Sequence, residues 1–285
     1  MSSWPRSDRA GVAAVAAAAA SWGLWSAVLR PTGLPGNVTG PVMFLAMGLC
    51  ALPFALRGPR ARWDRGTLAL LVANAIFDAI NVVTFFEALQ RTTVAVAVLT
   101  HYLAPILVAV GAPRIEGTRV PGALAWAALA TAGLTLVLEP WHTQGPVAVG
   151  AALGAVSAVC YAGNVFIVRR LVPRLGAART VSYHSLLGAA LMAPFGLAEL
   201  HLVTAPDLAR LALGSLVLGA IAGAVFLRGL DRIGSARTAV LTFAEPVVAV
   251  AVGWLVFDEP LGAIAGVGAL CILAAGIGTS RAHAR

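Results

Sequence analysis

Long apolar runs separated by short polar segments follow one another along this chain. A membrane-spanning helix needs about 20 largely apolar residues, and each run is close to that length. The pattern predicts an all-α polytopic membrane protein with ten transmembrane helices, of which the second and seventh are the shortest. The ten runs are 11–29, 41–56, 67–89, 93–112, 120–138, 147–168, 180–197, 208–227, 238–257 and 261–279.

Composition excludes a water-soluble protein. Hydrophobic residues make up 59% of the 285 positions and charged residues 11%, whereas globular domains have about 25% charged residues. Mean hydropathy is +0.87. Ten helices use roughly 200 positions, which leaves no room for a separate soluble domain. Three cysteines, Cys50, Cys160 and Cys271, lie in apolar runs without metal-ligand spacing, so we expect small core residues and no metal or cofactor.

The net charge of +8 is explained by membrane topology. All 20 basic residues are arginine, and all but Arg30, Arg91 and Arg210 fall in the tails and loops on one side when ten helices are laid out in order. Arginine excess in short loops marks the cytoplasmic side. We therefore expect both termini in the cytoplasm of a multi-pass plasma or inner membrane protein, and no nucleic-acid partner.

The N-terminal segment has an alternative interpretation. Arg6 and Arg9 precede an alanine-rich stretch at 13–20, a pattern also typical of a cleaved signal peptide. The apolar run continues through Trp22 and Trp25, however, and its removal would unbalance the repeat described next. We therefore expect this segment to be the first transmembrane helix.

The two halves of the chain repeat each other at an offset of 141 residues. Matches of alanine or leucine are common by chance in such a sequence, but Pro53 also matches Pro194 and Pro105 matches Pro246. A repeat of five helices enters the membrane from the opposite side in its second copy. Two such inverted copies can exchange roles around a midplane site, which is the basis of alternating access. The predicted repeats are residues 11–139 and 146–280.

Particular motifs carry a family resemblance. The segments FAEPVVAVAVGW at 243–254 and DEPL at 258–261 resemble the ninth-helix signature of EamA-type transporters of the drug/metabolite transporter superfamily. HYLAPILVA at 101–109, followed by Glu116, echoes it in the first half, and Trp22-Gly23 fits the same pattern. The resemblance spans the chain as two inverted EamA repeats. It implies a transporter of small metabolites, often an exporter.

Three ionisable residues lie near the predicted midplane, namely Asp78, His101 and Glu245. Such groups are costly in hydrocarbon, so each is a candidate functional group. We treat all three as candidates for proton coupling. The alternative is that the carboxyls pin helices together, either protonated or paired with His101 or nearby asparagines.

Polar and aromatic residues at helical spacing accompany these groups and suggest one wet cavity. The aromatic residues would bind a cation or a flat solute, or would serve packing alone. The candidate substrate-binding residues are Trp22, Asn74, Asn81, His101, Tyr102, Tyr161, Asn164 and Thr242.

Five further residues receive structural interpretations. Pro105 and Pro246 lack the backbone N–H and free a carbonyl one turn earlier, which either kinks the helix as a hinge or binds solute. Trp141 and Trp254 are predicted to anchor at the headgroups. His184 is placed near the cytoplasmic end of the seventh helix, and we expect a structural role for it.

The sequence predicts a secondary transporter that exports amino acids or related amphipathic solutes by alternating access. Alternatives are a facilitative exchanger or importer of an amine, nucleoside or sugar, and a non-transporting membrane scaffold. No P-loop, HExxH or GxSxG motif occurs, so neither ATP use nor enzyme activity is expected. The expected partners are a small-molecule solute and membrane lipid, with the protein as a monomer or homodimer.

Overall fold

The computed structural model describes residues 8–58, 61–117, 119–142, 147–258 and 262–281, and the regular structure within them is helical. Within these ranges nine apolar helices are long enough to cross a membrane, and Ala123–Leu138 is apolar but shorter. This all-α polytopic fold confirms the predicted class. We number the ten segments as spans in chain order. Arg6, Arg60, Glu259, the predicted repeat start at 146 and the C-terminal four residues lie outside the described ranges.

The spans contain fourteen α-helices and several tighter or wider turns. In order they are Asp8–Trp22 with Trp25–Leu29 and a 3₁₀ turn Arg30–Thr32; Gly36–Arg57; Arg65–Arg91; Val94–His101 with Ala104–Ile115; Ala123–Leu138; Ala148–Leu175; Ala177–Gly196 with a 3₁₀ turn Leu197–Leu202; Ala205–Gly214 with a π-helix Ser215–Ile221 and Ala222–Ile233; Ser235–Leu241 with Ala244–Phe257; and Ala263–Arg281. A further 3₁₀ turn, Pro140–His142, precedes span 6.

Spans 2 and 7 are longer than the apolar pattern predicted, and span 5 is the short one instead. Span 2 begins at Gly36, ahead of the apolar run. The hydroxyl of Thr39 lies 3.3 Å from the carbonyl oxygens of Pro35 and Gly36, so a polar residue is satisfied within the first turn. Hydropathy therefore underestimates helix length where hydroxyl groups bond back to their own helix.

Span 3 begins where a side chain caps it. The carboxylate of Asp64 accepts hydrogen bonds from the backbone N–H of Thr67 at 2.7 Å and from the Thr67 hydroxyl at 3.0 Å. These bonds, the backbone one above all, hold the pKa of Asp64 below its usual range. Such a cap satisfies amide groups that the first helical turn leaves free.

Spans 4 and 9 are each broken at the same relative position. Span 4 divides after His101 and span 9 after Leu241. Pro105 and Pro246, predicted to kink their helices or to free a carbonyl for solute, lie in the first turn of the second helix of each span. Proline is well tolerated there because the missing N–H has no partner within the helix.

The packing of the spans has the symmetry of two exchanged halves. Span 2 packs on span 7, span 5 on span 10, span 3 on span 6, and span 1 on span 8. A two-fold axis that exchanges spans 1–5 with spans 6–10 maps the first two pairs onto themselves and the last two onto each other. Such an arrangement is expected of an inverted repeat with an odd number of helices.

Loops that were assigned to one side of the membrane lie together at one end of the bundle, which we call the arginine-rich end. Arg174, at the end of span 6, accepts a backbone hydrogen bond from Arg62 at 2.9 Å and lies 3.4 Å from the Asp64 carboxylate. Arg179 donates to the carbonyl of Gly58 at 2.9 Å. These contacts join the loop between spans 2 and 3 to the loop between spans 6 and 7.

The remaining loops meet at the other end, which we call the opposite end. The guanidinium of Arg30 lies 4.7 Å from the ring centre of Phe257, joining the ends of spans 1 and 9. Asn37 at the start of span 2 donates to Glu199 near the end of span 7 at 3.1 Å. The fold therefore separates the alternate loops as the sequence predicted.

Candidate functional site

A cavity of about 410 Å³ lies in the middle of the bundle. Eight spans line it, and spans 5 and 10 contribute none of its lining residues. Small-molecule sites have volumes of about 300–1,000 Å³, so the cavity has the size of a solute site. The predicted residues that line it are Trp22, Asn74, Asp78, Asn81, His101, Tyr161, Asn164 and Glu245.

Two other predicted residues, Tyr102 and Thr242, line a side recess of about 20 Å³ beside the cavity. Pro105 lines the same recess, and Pro246 is buried in its helix without lining either space. The hydroxyl of Thr242 donates to the carbonyl of Ala239 at 2.6 Å. Its hydroxyl proton is therefore directed to its own helix.

Asp78 is held by amide groups from two spans. Asn164 of span 6 donates a short hydrogen bond to Oδ1 of Asp78. Asn74, one turn before Asp78 on span 3, lies 3.4 Å from Oδ2 and donates to Oδ1 of Asn164 at 2.9 Å. The carboxyl and two amides thus form one network across spans 3 and 6. This network agrees with the prediction that Asp78 pairs with asparagines.

His184 is part of this site, contrary to the expectation of a purely structural role at the end of a helix. Its Nδ1 lies 2.7 Å from Oδ2 of Asp78, and both side chains are mostly buried, at 13% and 16% exposed. Span 7 begins at Ala177, so His184 lies two turns inside the helix and lines the cavity. An ionisable residue within a membrane span could have indicated that His184 lines the cavity. Its contact with Asp78 on span 3 could not be predicted from the sequence.

His101 has a separate set of partners. Its Nδ1 lies 2.8 Å from the hydroxyl of Ser157, which in turn donates to Oδ1 of Asn81 at 2.7 Å. The side chains of His101, Ser157 and Asn81 thus connect spans 4, 6 and 3. The alternative in which His101 pairs with a carboxyl is wrong for Asp78, because His184 occupies that position.

Glu245 lies in the first turn of the second helix of span 9. Its side chain lines the side recess together with Tyr102, which lies at the break in span 4. A carboxylate near a helix N-terminus is favoured by the partial positive charge of the helix dipole. The broken spans therefore meet at Glu245 and hold it at the wall of the cavity.

Aromatic rings form much of the remaining wall. The indole N–H of Trp22 donates to the carbonyl of Leu218 in the π-helix of span 8 at 2.8 Å, and its ring lies 4.7 Å from that of Phe226. The lining residues of span 2 and most of the lining phenylalanines were not predicted, because an apolar ring that faces a cavity has the same sequence pattern as one that faces lipid or another helix. The additional aromatic and methionine lining residues are Trp25, Met43, Phe44, Met47, Phe85, Phe86 and Phe226.

Outside the cavity, Trp141 and Trp254 are about half exposed at the opposite end, as headgroup anchors would be. Within the described ranges, no group of three or more histidine, cysteine or acidic residues is arranged to hold a metal ion. The side chains of the cavity can instead bind a solute through carboxyl, amide, imidazole and aromatic groups.

Comparisons with known proteins agree with this architecture. The chain is 31% identical over 276 residues to an uncharacterized transporter of Archaeoglobus fulgidus, covering 95% of this chain and 96% of that protein. It is 25% identical over 240 residues to the pseudopaline exporter CntI of Pseudomonas aeruginosa, covering 83% of each. These relatives are named as transporters, consistent with a protein that is not an enzyme.

Fold and family comparisons point the same way. A crystal structure that is 20% identical superposes with a TM-score of 0.79 over 93% of this chain and 96% of that one, and it shares the fold. The profile of the EamA-like transporter family matches residues 148–281. The chain therefore belongs to the EamA-like transporter family of the drug/metabolite transporter superfamily and is a multi-pass membrane transporter.

Proposed function

We propose that this protein is a secondary transporter that exports a small amphipathic solute through the central cavity by alternating access. The observation that carries the proposal is the cavity itself, a space of about 410 Å³ lined by ionisable and aromatic groups from both halves of the chain. Sites of this kind lie at the interface of inverted repeats near the bilayer midplane. A scaffold protein has no need of such a space.

Closure at the arginine-rich end supports alternating access. Arg169 of span 6 donates to the carbonyl of Leu230 at 3.1 Å and lies 3.4 Å from the Asp231 carboxylate at the end of span 8. Its Nε lies 3.9 Å from Glu116, which accepts a short hydrogen bond from Ser235. Arg169 thus ties the ends of spans 4, 6, 8 and 9 together. We call these five residues the arginine staple.

A second space supports a path toward the opposite end. A pocket of about 310 Å³ lies between the ends of spans 2, 3 and 7, and its lining includes Asn37, Glu87 and Glu199. Val82 and Phe86 line both this pocket and the central cavity. The two spaces are therefore separated by side chains rather than by backbone, and rotation of Phe86 would join them.

The direction of solute transport and the orientation of the protein in the membrane are supported by separate observations. Arginine excess supports a cytoplasmic location for the arginine-rich end and, with it, for both termini of a protein of the cell membrane. A relative that carries the name of an exporter supports outward transport. A staple closed on the cytoplasmic side is the state expected after loading from the cytoplasm and before release outside.

A proton gradient is the proposed energy source. Ionisable residues within membrane spans form the proton relays of many transporters. Asp78, His101 and Glu245 are the proton-coupling candidates, and His184 joins them through its contact with Asp78. An acid that alternately holds a proton and a solute would couple the two movements.

The test is solute flux in proteoliposomes that contain the purified full-length protein. A panel of amino acids, amines, nucleosides and sugars would be measured with and without an imposed pH gradient. We expect accumulation of one chemical class that depends on the gradient. Exchange without gradient dependence would indicate a facilitative exchanger, and the absence of flux for every class in both directions would contradict the proposal.

A further inference from the structure

We propose that the central cavity is specific for an organic cation with an apolar body, and that Glu245 is the counter-charge for its positively charged head. This inference rests on the proposed transport function and narrows the solute class of the same site. It differs from the amino-acid substrate expected from the sequence. Four features of the cavity carry it, namely its charges, the partners of its two carboxyls, its aromatic faces and the size of the recess beside it.

The charged groups of the cavity are of one sign. Asp78 and Glu245 both line it, whereas none of its described lining residues is arginine, and the chain has no lysine. A solute carboxylate would therefore enter a space with two acidic groups and no permanently positive group. Like charges brought together in a low-dielectric space repel strongly. A cationic solute would instead be attracted by the two acidic groups.

The two histidines do not replace the missing positive group. Nδ1 of His184 lies 2.7 Å from Oδ2 of Asp78, and Nδ1 of His101 contacts the Ser157 hydroxyl at 2.8 Å. A protonated His184 would be neutralised by its own partner, because the two form an ion pair. Each imidazole therefore contacts a side chain of the protein and does not supply a positive charge for a solute carboxylate.

The two carboxyls differ in how many polar groups of the protein already contact their oxygens. Both oxygens of Asp78 are engaged, by Asn164, Asn74 and His184. The Glu245 carboxyl lies beside Tyr102 at the side recess, and the described residues form no ion pair with it. A carboxylate has about four acceptor positions, so Glu245 retains capacity for a further positive partner. Since an unpaired buried charge is costly, Glu245 must hold either a proton or a cation.

Aromatic faces surround the position where the cation would lie. Trp22, Tyr161 and Phe226 line the cavity together with Glu245, and Gly23 lies directly against the backbone of Glu245. Aromatic rings attract cations through their electron-rich faces, and tryptophan does so most strongly. The same rings, with the methionines of span 2, accept an apolar body. A carboxylate together with aromatic faces is suited to binding an ammonium group.

The broken helices offer no place for the carboxylate of an amino acid. Half-helix N-termini in transporters commonly bind anionic solute groups. Here the break of span 4 and that of span 9 meet at the side recess of about 20 Å³. That is room for about one water molecule. Glu245 itself lies in the first turn of the second helix of span 9, so the positive end of this helix already faces a carboxyl of the protein.

The experiment compares three solutes of similar body and different charge. Binding of benzyltrimethylammonium, benzyl alcohol and phenylacetate to the purified full-length protein in detergent would be measured by calorimetry. We expect the quaternary cation to bind at least tenfold more tightly than the anion, with the neutral compound between them. A quaternary cation cannot lose a proton, so its binding reports charge alone. Equal or tighter binding of phenylacetate would overturn the proposal without use of any variant.

Variants then test whether Glu245 is the counter-charge for the cation. Glu245→Gln keeps the shape of the side chain, and we expect it to lower the affinity for benzyltrimethylammonium at least tenfold while binding of benzyl alcohol stays unchanged. Glu139→Gln is the matched control, because Glu139 ends span 5 outside the cavity, and it should bind all three solutes as the parent protein does. An equal effect of both variants, or none in Glu245→Gln, would refute the role of Glu245.

Failure of this proposal is distinguishable from failure of the proposed function. Counterflow of each of the three solutes would be measured in proteoliposomes in parallel with binding. Movement of benzyl alcohol or phenylacetate, with no preference for the cation, would overturn the cation site and leave a transporter of another solute class. An absence of flux for these solutes and for the whole wider panel would contradict the transport function itself.

Discussion

Nδ1 of His184 lies 2.7 Å from Oδ2 of Asp78, and this contact joins span 7 to span 3 inside the central cavity. The two residues are 106 positions apart, and each belongs to a different half of the chain. A movement of one half against the other would therefore stretch or break this pair. An acid and a base that separate during a rocking motion can take up and release a proton as they do so.

Replacement of His184 by glutamine is expected to uncouple transport from the proton gradient. Glutamine retains a hydrogen-bond donor for Asp78 but cannot carry a proton at physiological pH. We expect flux driven by a pH gradient in proteoliposomes to fall at least tenfold, while exchange of solute for solute is retained. Asp78→Asn should behave in the same way. His201→Gln is the control, because His201 is exposed near the end of span 7.

The opposite outcome of the histidine experiment is equally informative. Full gradient coupling in both His184→Gln and Asp78→Asn would remove the pair from the proton pathway and leave Glu245 and His101 as candidates. A loss of coupling in His201→Gln as well would indicate a general effect on the protein. The measured quantity is the ratio of gradient-driven initial rate to solute-for-solute exchange, since a loss of folded protein lowers both and leaves the ratio unchanged.

Removal of the arginine staple is expected to open the arginine-rich end. Arg169 is 27% exposed and Glu116 is 10% exposed, so these contacts are stronger than surface ion pairs. A loss of about 1 kcal/mol from the closed state changes the open population about fivefold. In Arg169→Gln, a cysteine placed at Leu227 should react about fivefold faster with an impermeant thiol reagent added from the cytoplasmic side of inside-out vesicles.

Arg91→Gln is the matched control for the staple. Arg91 pairs with Glu87 at 2.7 Å at the opposite end, where both side chains are well exposed. Its removal should leave the labelling rate at Leu227 unchanged. An unchanged rate in Arg169→Gln would mean that the staple does not hold this end closed.

Gly23 permits the close contact between spans 1 and 9, and alanine there is expected to disrupt it. A Cβ at Gly23 would lie 2.5 Å from the carbonyl oxygen of Glu245 and 2.7 Å from the backbone nitrogen of Ala249. Backbone atoms cannot move aside as a flexible side chain can. We expect Gly23→Ala to reduce the stability of the protein by roughly 1–3 kcal/mol, measured by thermal unfolding in detergent.

Gly266→Ala provides the control for the glycine experiment. No atom of the described residues lies within 4 Å of a Cβ at Gly266, and the residue is inside span 10. Alanine should be tolerated there, with a change in stability within about 1 kcal/mol. Equal unfolding temperatures for Gly23→Ala and the parent protein would contradict the close contact between spans 1 and 9.

Thiol labelling of intact cells tests the orientation. Trp63 precedes span 3 at the arginine-rich end and Trp141 follows span 5 at the opposite end, and each is about half exposed. In a parent protein with its three cysteines replaced by alanine, Trp141→Cys should react with an impermeant reagent outside the cell. Trp63→Cys should react only after permeabilisation. The reverse pattern would invert the topology and place both termini outside.

The sequence by itself determined the membrane class, the number of spans and most of the candidate site. These properties depend on local signals, since an apolar run is recognisable without knowledge of its neighbours. Eight of the predicted residues line the cavity because an ionisable or amide group in a membrane span needs a polar space wherever it lies. The inverted repeat stays a prediction from the matching prolines, and the exchanged packing of the spans is the arrangement expected of it.

Tertiary structure alone decided which side chains meet. The partner of Asp78 on span 7, the apolar rings from span 2 and the place of Tyr102 in a side recess all depend on how helices far apart in sequence cross. The form of the breaks in spans 4 and 9 was also decided by the structure, since proline is compatible with a kink or with a new first turn. Each break is a turn of two residues bridged by backbone hydrogen bonds. Periodicity assigns a residue to a face of its own helix, whereas the neighbour of that face is fixed by packing of the whole bundle.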